Sequence, residues 1–265
     1  MANPVKADIS VIIPVINEQA AVNQAVEQLQ AQEFQGIVEI VVVDGGRDHA
    51  TIRAIEDGTV VKKASLPDRG IQMNQGALVA TGEILLFLHC DTVLPENGLK
   101  TVATVMANRS VKAGAFDLTI ARKGVVWRLI EKTASLRSRI TRIPYGDQAI
   151  FVRRSFFFET GLYRNIPIME DVDLMLRMKK RRARVQFCRE RVSTSARRWE
   201  KEGVVFCTLR NWLLVTLFFF GVDPARLERF YRKPHALGHR TNKRYHCNWS
   251  FYLLSALRQW VHIEK

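Results

Sequence analysis

Cysteine is scarce in this sequence of 265 residues, and its four cysteines lie far apart. None of them forms a Cys-x-x-Cys pair, so we expect neither a zinc knuckle nor a disulfide framework. Runs of glycine or proline are also scarce, and 47% of the residues are apolar. This composition excludes a disordered or collagen-like protein, and the chain is long enough to bury a large core without crosslinks.

The sequence also lacks a long apolar run. The stretch at 9–16 is short and contains Pro14, which is not typical of a secretory signal. Residues 211–222 are uncharged, but a membrane span needs about 20 apolar residues. We therefore expect a cytoplasmic protein. Its predicted helix at 204–222 and aromatic stretch at 249–260 are expected to make peripheral contact with the inner face of the membrane, or else to pack against the rest of the chain or a second subunit in a homodimer.

Acidic residues are outnumbered, because 40 Lys and Arg stand against 26 Asp and Glu and leave a formal net charge of +14. Such an excess predicts an anionic partner, which charge alone does not identify as nucleic acid, lipid or a phosphorylated substrate. No zinc finger, helix-turn-helix or RNA-recognition motif is present, so a nucleic-acid partner is not expected. We interpret the basic run at 177–191 as a solvated face with weak attraction to membranes.

The first half of the chain alternates buried strands with amphipathic helices. Strands are predicted at 9–15, 39–44 and 84–89, and helices at 19–33 and 69–80. This alternation is typical of βαβ units, so we expect an α/β fold with a mixed, mainly parallel sheet flanked by helices. The second half is less regular. Further elements are predicted there at 125–140 (helix), at 149–152 (strand) and from Glu170 onward (helix).

Polar side chains follow each predicted strand of the first half. Asn17 and Glu18 come after the first strand, Asp44 ends the second, and His89 and Asp91 end the third. Parallel sheets bind ligands at the carboxyl ends of their strands, so these residues predict a nucleotide site. The glycines here match neither a P-loop nor a Gly-x-Gly-x-x-Gly fingerprint.

Five short segments occur in a fixed order along the chain: IIPVINE at 12–18, VVDGGRD at 42–48, DRG at 68–70, LHCD at 88–91 and MED at 169–171. This set resembles the family 2 glycosyltransferases, which are inverting enzymes with a GT-A fold, a Rossmann-like nucleotide-binding architecture. The resemblance covers about residues 8–200. It implies a GT-A catalytic domain at 1–200, followed at 201–265 by an apolar and amphipathic helical C-terminal extension.

Within that family the chain looks most like a small bacterial branch. The features shared with the branch are the Leu-His-x-Asp turn and the segment SARRW at 195–199. Members of this branch are linked by gene context to arsenosugar biosynthesis, which implies little about the acceptor of this chain.

The resemblance implies a set of residues that bind the nucleotide sugar: Pro14, Asn17, Glu18, Asp44, Arg69, His89, Arg198 and Trp199. Arg69 and Arg198 are expected at the diphosphate, which an arginine fork binds well, and Trp199 is expected to stack on the acceptor. Each residue also has an ordinary alternative. Asp44 can be a turn residue, Arg69 can pair with Asp68 on the surface, and 195–199 can be a solvated basic face.

The LHCD segment occupies the place of the family's Asp-x-Asp metal motif but has His89 where the first acid is expected. We therefore expect Asp91 to bind Mg²⁺ or Mn²⁺, largely through water and substrate phosphates, with His89 contacting the nucleotide or supporting the site. Asp171 resembles the family's catalytic base. Its ordinary alternative is capping of the helix that begins there.

These features predict an inverting glycosyltransferase that uses a UDP- or GDP-sugar, a divalent metal and an Asp base to modify an unidentified hydroxyl acceptor. Two alternatives remain at this point. A nucleotidyltransferase also uses a nucleotide-binding sheet and metal carboxylates, but it needs a glycine-rich loop after its first strand. The other alternative is a basic protein that binds membranes or nucleic acid.

Overall fold

The computed structural model describes residues 6–232. The chain divides into two compact units, and the first runs to Phe230, so the helices that follow residue 200 belong to the same unit as the sheet. The predicted division at residue 200 stays a prediction. The aromatic stretch at 249–260 lies outside the described residues.

The described part of the chain contains one mixed sheet of eight strands, arranged in the order β3-β2-β1-β4-β7-β6-β8-β5. The strands are β1 (Ile9–Val15), β2 (Val38–Asp44), β3 (Val61–Ala64), β4 (Ile84–Phe87), β5 (Thr92–Val93), β6 (Val111–Ile120), β7 (Phe151–Arg153) and β8 (Arg184–Thr194). Strands β1 to β4 are parallel to one another, and β6 is parallel to β8. Strand β7 is antiparallel to both β4 and β6, and β5 is antiparallel to β8.

Ten α-helices accompany the sheet within the described residues: α1 (Val22–Gln30), α2 (Ala50–Arg53), α3 (Arg69–Val79), α4 (Gly98–Ala107), α5 (Val125–Thr141), α6 (Arg154–Thr160), α7 (Glu170–Lys180), α8 (Arg197–Glu202), α9 (Val204–Phe219) and α10 (Pro224–Arg232). A single turn of 3₁₀-helix spans Gly146–Gln148. None of these helices is long and apolar enough to cross a membrane.

The central strands form because their side chains are apolar on both faces. Val11 and Ile13 of β1 join a core on one face with residues of α1 and α4. Ile12 and Val41 join a second core on the other face with residues of α3, α6 and α7. Alternation along each strand sends successive side chains to opposite faces, so a strand covered on both sides needs a continuous apolar run.

Helix α3 is fixed to the ends of two strands by one buried side chain. The amide of Gln72 donates hydrogen bonds to the carbonyl oxygens of Val15 and Val43, each at 2.8 Å. Gly76 lets the helix approach β1, because a Cβ there would lie 2.4 Å from Cγ2 of Ile12. These contacts hold the N-terminus of α3, which carries Arg69, beside the carboxyl ends of β1 and β2.

The predicted α/β sheet with helices on both faces is confirmed, as are the strands near 9–15, 39–44 and 84–89 and the helices near 19–33, 69–80 and 125–140. Sequence analysis missed the two longest strands, β6 and β8. Strand β8 exposes Arg184, Arg189 and Arg191, so its outward face is charged and lies within the basic run at 177–191.

That run is not uniformly solvated. Arg177 is largely buried, and its guanidinium binds the Asp173 carboxylate at 2.8 Å. It also donates to the carbonyl oxygens of Thr160 and Leu162. Arg181 and Arg182, in contrast, are exposed as predicted.

Candidate active site

Asp44 ends β2 and is completely buried. One carboxylate oxygen accepts the N–H of Gly46 at 2.7 Å, and the other accepts the N–H groups of Thr51 and Ile52 at 3.0 and 3.2 Å. The carboxylate therefore shapes the loop after β2 and holds the start of α2, which is the turn role that sequence analysis left open. A nucleotide that contacts Asp44 has to do so without displacing these three hydrogen bonds.

The loops after β1 and β2 lie side by side. The hydroxyl of Thr51 accepts the N–H of Glu18 at 3.2 Å, and the Oδ1 atom of Asn17 lies 3.7 Å from the position of a Cβ on Gly46. Asn17 adopts a left-handed backbone with φ of 56°, a conformation that asparagine tolerates better than most residues. Pro14 is half-buried within β1, opposite Val43. The predicted nucleotide-binding turn is thus assembled at one edge of the sheet.

Glu18 and Asp91 face the same guanidinium group. The Nη2 atom of Arg197 lies 3.3 Å from Oε1 of Glu18 and 3.9 Å from Oδ2 of Asp91. Both carboxylates also help to raise the pKa of the Cys90 thiol to about 12, although burial is the main cause. The fold thus brings together two predicted site residues that are 73 positions apart in sequence.

Arg69 does not pair with Asp68. The carboxylate of Asp68 instead accepts the N–H of Ile71 at 3.0 Å and caps α3. Arg69 points toward the start of α7, where its Nη1 atom lies 3.5 Å from Oε1 of the buried Glu170. Burial raises the pKa of Glu170, and the positive charge of Arg69 opposes that rise.

His89, Arg69 and Arg198 share one electrostatic environment. The pKa of His89 is lowered to about 3, first by burial and then by the positive charges of Arg69 and Arg198. The pKa of Arg198 is lowered by burial and by Arg69. The imidazole of His89 is therefore neutral, and the positive charges of Arg69 and Arg198 both act on it. That these two arginines bind a diphosphate stays a prediction.

Asp171 begins α7 and is held by two backbone N–H groups. Its Oδ2 atom accepts the N–H of Gly146 at 2.6 Å, and its Oδ1 atom accepts the N–H of Val172 at 2.7 Å. A Cβ on Gly146 would lie 3.1 Å from Nε2 of His89 and 3.4 Å from Oδ2 of Asp171. The absence of a side chain at Gly146 therefore lets the imidazole and the carboxylate flank the same peptide.

Trp199 lies in an aromatic pocket beside this turn. The pocket is a half-open hollow between α5, the 146–148 turn, α8 and α9, with an enclosed volume of about 60 Å³. Its polar and aromatic lining residues are Arg137, Tyr145, Asp147, Trp199, Asn211 and Trp212. The Trp199 ring packs edge-on against Trp127, with centroids 6.3 Å apart.

The side chains around Asp91 can supply only one or two ligands to a metal ion, so the phosphates of the substrate would have to supply most of the others. No group of three His, Cys, Asp or Glu side chains within residues 6–232 is arranged to hold an ion. Asp91 is partly exposed, with Glu18 beside the same guanidinium. One or two carboxylates are enough for Mg²⁺ when phosphates supply the other ligands. The Nε2 atom of His89 faces Gly146 and is buried.

Residues 10–166 match the family model described as glycosyl transferase family 2. The chain belongs to glycosyl transferase family 2. This membership confirms the predicted enzyme class and decides against a nucleotidyltransferase or a protein that only binds membranes or nucleic acid.

The chain is similar to two curated relatives named glucosyl-3-phosphoglycerate synthase. It is 30% identical over 97 residues to the protein from Mycolicibacterium smegmatis, which is 33% of this chain and 32% of that protein. The match to the protein from Mycobacterium tuberculosis is 30% over 96 residues, again 33% of this chain and 30% of the other. The chain therefore matches about a third of the length of these relatives.

Two solved structures share the fold. A mannosyltransferase from Pyrobaculum calidifontis, solved with GDP-Man and Mn²⁺, matches with a TM-score of 0.54 and 16% identity over 72% of this chain and 57% of that one. TarS residues 1–349 from S. aureus, solved with UDP-GlcNAc, match with a TM-score of 0.54 and 18% identity over 71% and 58%. The predicted GT-A fold is confirmed.

Sequence analysis missed three features of the site. Arg197, the neighbour of the predicted Arg198, pairs with the carboxylates of Glu18 and Asp91. Gly146 and Asp147 adjoin Asp171 although they precede it by more than 20 positions. The sequence offers one sign of this turn, the tripeptide Tyr-Gly-Asp at 145–147, which comes just before the short strand predicted at 149–152.

Replacing Gly146 with alanine tests the geometry around Asp171. The new Cβ would lie 3.1 Å from Nε2 of His89, so the imidazole has to move by a few tenths of an ångström away from Gly146. We therefore expect the release of UDP or GDP from the preferred sugar nucleotide to fall roughly tenfold. The matched control is Gly58→Ala, because nothing lies within 4 Å of a Cβ at Gly58. Equal turnover by the two variants, measured at the same thermal stability, contradicts the assigned geometry.

Proposed function

We propose that this family 2 glycosyltransferase moves a sugar from a UDP- or GDP-sugar to a hydroxyl acceptor in one inverting displacement, with Asp171 as the general base. The observation that carries the proposal is the position of the Asp171 carboxylate, which flanks Gly146 together with His89. Arg69 and Arg198 act electrostatically on the same imidazole. These observations support a base and a diphosphate site that lie next to each other.

The two arginines are suited to the leaving group. Negative charge accumulates on the diphosphate as the bond to the sugar breaks, and donors fixed in advance stabilise it most effectively. Arg69 is held toward this region by its ion pair with the buried Glu170. His89 adds a hydrogen-bonding group without a charge, because its lowered pKa keeps the imidazole neutral at pH 7.

The nucleoside part is proposed to lie against the two loops at the edge of the sheet. Pro14, Asn17 and Glu18 form the first wall, and the loop shaped by Asp44 forms the second. Because Asp44 is completely buried and its oxygens accept three main-chain N–H groups, this residue supports the loop and is proposed to contribute to nucleotide binding mainly through it. The solved relatives carry GDP-Man or UDP-GlcNAc, which supports a sugar nucleotide as donor.

Asp91 is proposed to hold Mg²⁺ or Mn²⁺ together with the donor diphosphate, and Glu18 lies beside it. The bound ion neutralises charge on the leaving diphosphate. The Mn²⁺ in the structure of the Pyrobaculum mannosyltransferase supports this assignment. Arg197, which lies between Glu18 and Asp91, supplies a fixed positive charge at the same position.

Asp171 is proposed to accept the proton of the attacking hydroxyl. Each carboxylate oxygen has two lone pairs, so an oxygen that accepts one backbone N–H retains a site for the acceptor hydroxyl. The two N–H groups fix the orientation of the carboxylate at the N-terminus of α7. A fixed base within hydrogen-bond reach typically contributes about 10²–10⁴-fold to the rate.

Replacing Asp171 with asparagine removes the base but keeps the shape of the side chain. We expect transfer to fall about 10²–10⁴-fold, whereas the affinity for UDP or GDP, measured by titration calorimetry, stays within about twofold of the wild type. The control is Glu159→Gln on α6, an exposed carboxylate outside the site. Unchanged transfer by the Asp171 variant rules out the base assignment.

Replacing Asp91 with alanine tests the metal. In the wild type we expect removal of Mn²⁺ with a chelator to weaken binding of the nucleotide about tenfold, because the ion links the carboxylate to the diphosphate. The Asp91→Ala variant is expected to bind weakly and to lose this dependence on Mn²⁺. Glu83→Ala is the control, since Glu83 pairs with Lys6 at the opposite end of β4. Full Mn²⁺ dependence in the Asp91 variant contradicts the assignment.

We also propose that α9 contacts the cytoplasmic face of the membrane. Several of its large apolar side chains are exposed: Val205, Leu209, Trp212, Leu213 and Phe219. The exposed face of a helix that cannot span a bilayer fits the interfacial region. The neighbouring Arg122 and Lys123 are exposed cations that suit anionic lipid.

Sedimentation with phosphatidylglycerol vesicles tests this contact. We expect Leu209→Ser to reduce the bound fraction several-fold because less apolar area enters the interface, whereas Ile37→Ser, at an exposed apolar residue before β2, leaves it unchanged. Absence of binding by the wild type overturns the proposal. A dimer that dissociates in the Leu209 variant assigns the face to a homodimer instead.

A further inference from the structure

The aromatic pocket adjoins the proposed base. Asp147 lines the pocket and directly follows Gly146, whose N–H binds Asp171. Asp171 is also among the charges that act on Asp147. A molecule in the pocket therefore lies against the turn whose Gly146 N–H holds the carboxylate that is proposed to accept a proton.

Two side chains of the pocket carry buried polar atoms without hydrogen-bond partners in the described part of the chain. These atoms are Nε and Nη1 of Arg137 and Oδ1 of Asp147. The guanidinium is nevertheless fixed, because it stacks 3.1 Å from the ring centroid of Tyr145 and its Nη2 atom donates to Oγ of Ser138 at 3.0 Å. A buried polar atom left unpaired costs about 1–3 kcal/mol. Three such atoms in one pocket indicate that a bound ligand supplies their missing hydrogen bonds.

A ligand with adjacent hydroxyl groups can form hydrogen bonds with all three atoms, the two donors of Arg137 and the acceptor of Asp147. Each hydroxyl donates one hydrogen bond and accepts up to two. One hydroxyl can therefore accept from Arg137 while donating to Asp147, and a second can accept the remaining N–H. A carboxylate or phosphate accepts only, so it leaves Oδ1 of Asp147 unpaired.

The local charges also favour an uncharged ligand. The positive charge of Arg137 already faces Asp147 and Asp171. Burial raises the pKa of Asp147 to about 6, with Asp171 adding to the rise and Arg137 and Arg69 opposing it. An anion placed here meets two acidic side chains, whereas a neutral hydroxyl compound meets no repulsion.

The remaining walls fit a ring with an apolar face. Trp199 and Trp212 line one side, and Leu118 and Ile130 line another. Pockets for small ligands combine apolar walls with a few polar groups. The enclosed part of this pocket is small, about 60 Å³. Its open side lets a monosaccharide or a similar cyclic compound place one face and two hydroxyls inside while the rest of the ring lies at the mouth.

We propose that the pocket binds the acceptor, and that this acceptor is an uncharged sugar or cyclic polyol whose neighbouring hydroxyls bind Arg137 and Asp147. The inference rests on the proposed glycosyl transfer. In that step the bond between the anomeric carbon and the diphosphate oxygen breaks, and the acceptor oxygen forms the new bond to that carbon. The hydroxyl proton passes to Asp171, and the nucleoside diphosphate leaves with the electron pair.

The first experiment compares acceptor classes with the full-length protein and the sugar nucleotide that it cleaves. Methyl glucoside, methyl galactoside, methyl mannoside and myo-inositol form the neutral set, and glucose 6-phosphate, glucuronate and 3-phosphoglycerate form the anionic set. We expect a glycosylated product, detected by mass spectrometry, from at least one neutral acceptor and from no anionic one. Cleavage of the donor without transfer to any neutral acceptor overturns the inference but leaves the proposed function in place. If no sugar nucleotide is cleaved, the proposed function fails and the inference fails with it.

The second experiment assigns the residues with the neutral acceptor found in this way. We expect Arg137→Met and Asp147→Asn each to raise the KM for the acceptor about tenfold, while the KM for the sugar nucleotide changes less than about twofold, because each loses roughly one hydrogen bond. Lys132→Met, at an exposed residue of the same helix, is the control with both constants unchanged. If one of the buried variants does not fold, Trp212→Leu at the rim of the pocket replaces it, with the same expected rise in the KM for the acceptor. Equal changes in both KM values, or none, contradict the pocket assignment.

Discussion

The hydrogen bond from the N–H of Gly146 to Oδ2 of Asp171, at 2.6 Å, is the contact on which the rest of the site depends. It joins the N-terminus of α7 to the 146–148 turn and so sets the carboxylate beside His89. The turn itself is fixed by Gln148, whose buried amide donates to the carbonyl oxygen of Phe116 at 2.9 Å and accepts from the hydroxyl of Ser138 at 2.6 Å. Because a 3₁₀ turn alone is short and weak, these tertiary hydrogen bonds are what give the carboxylate a defined direction.

Positive charges also repel one another in the site, and an anionic ligand would reduce this repulsion. Arg69 and Arg198 each lower the pKa of His89, and Arg69 lowers that of Arg198. Two cations held near each other and partly removed from water destabilise the protein without a ligand. The buried Glu170 offsets part of this repulsion through Arg69. The diphosphate of the proposed donor would supply the remaining negative charge, so the same arrangement that costs stability would favour binding of that donor.

The parts of the fold that were predictable are those encoded locally. Strand β1 could be recognised because a strand covered on both faces is a continuous apolar run. Strand β8 could not, because three consecutive charged and exposed residues, Arg189, Glu190 and Arg191, interrupt its alternation and resemble a charged loop. Asp171 was recognisable as an acid at a helix start, but its partner Gly146 is 25 positions away. Contacts of this kind are set by tertiary packing, which leaves no local pattern in the sequence.

The substitution of His89 for an acid changes how positive charge is supplied to the donor. With a neutral imidazole in this place, Asp91 is the acid that remains in the motif, and Glu18 is the other carboxylate beside Arg197. Fewer carboxylates attract a divalent ion less strongly, whereas Arg69, Arg197 and Arg198 bring fixed positive charge to the same edge of the sheet. A guanidinium fork binds diphosphate oxygens in pairs. The place of one acid is therefore matched by cations that the chain itself carries, and under the proposed mechanism these would stabilise the leaving group together with the metal.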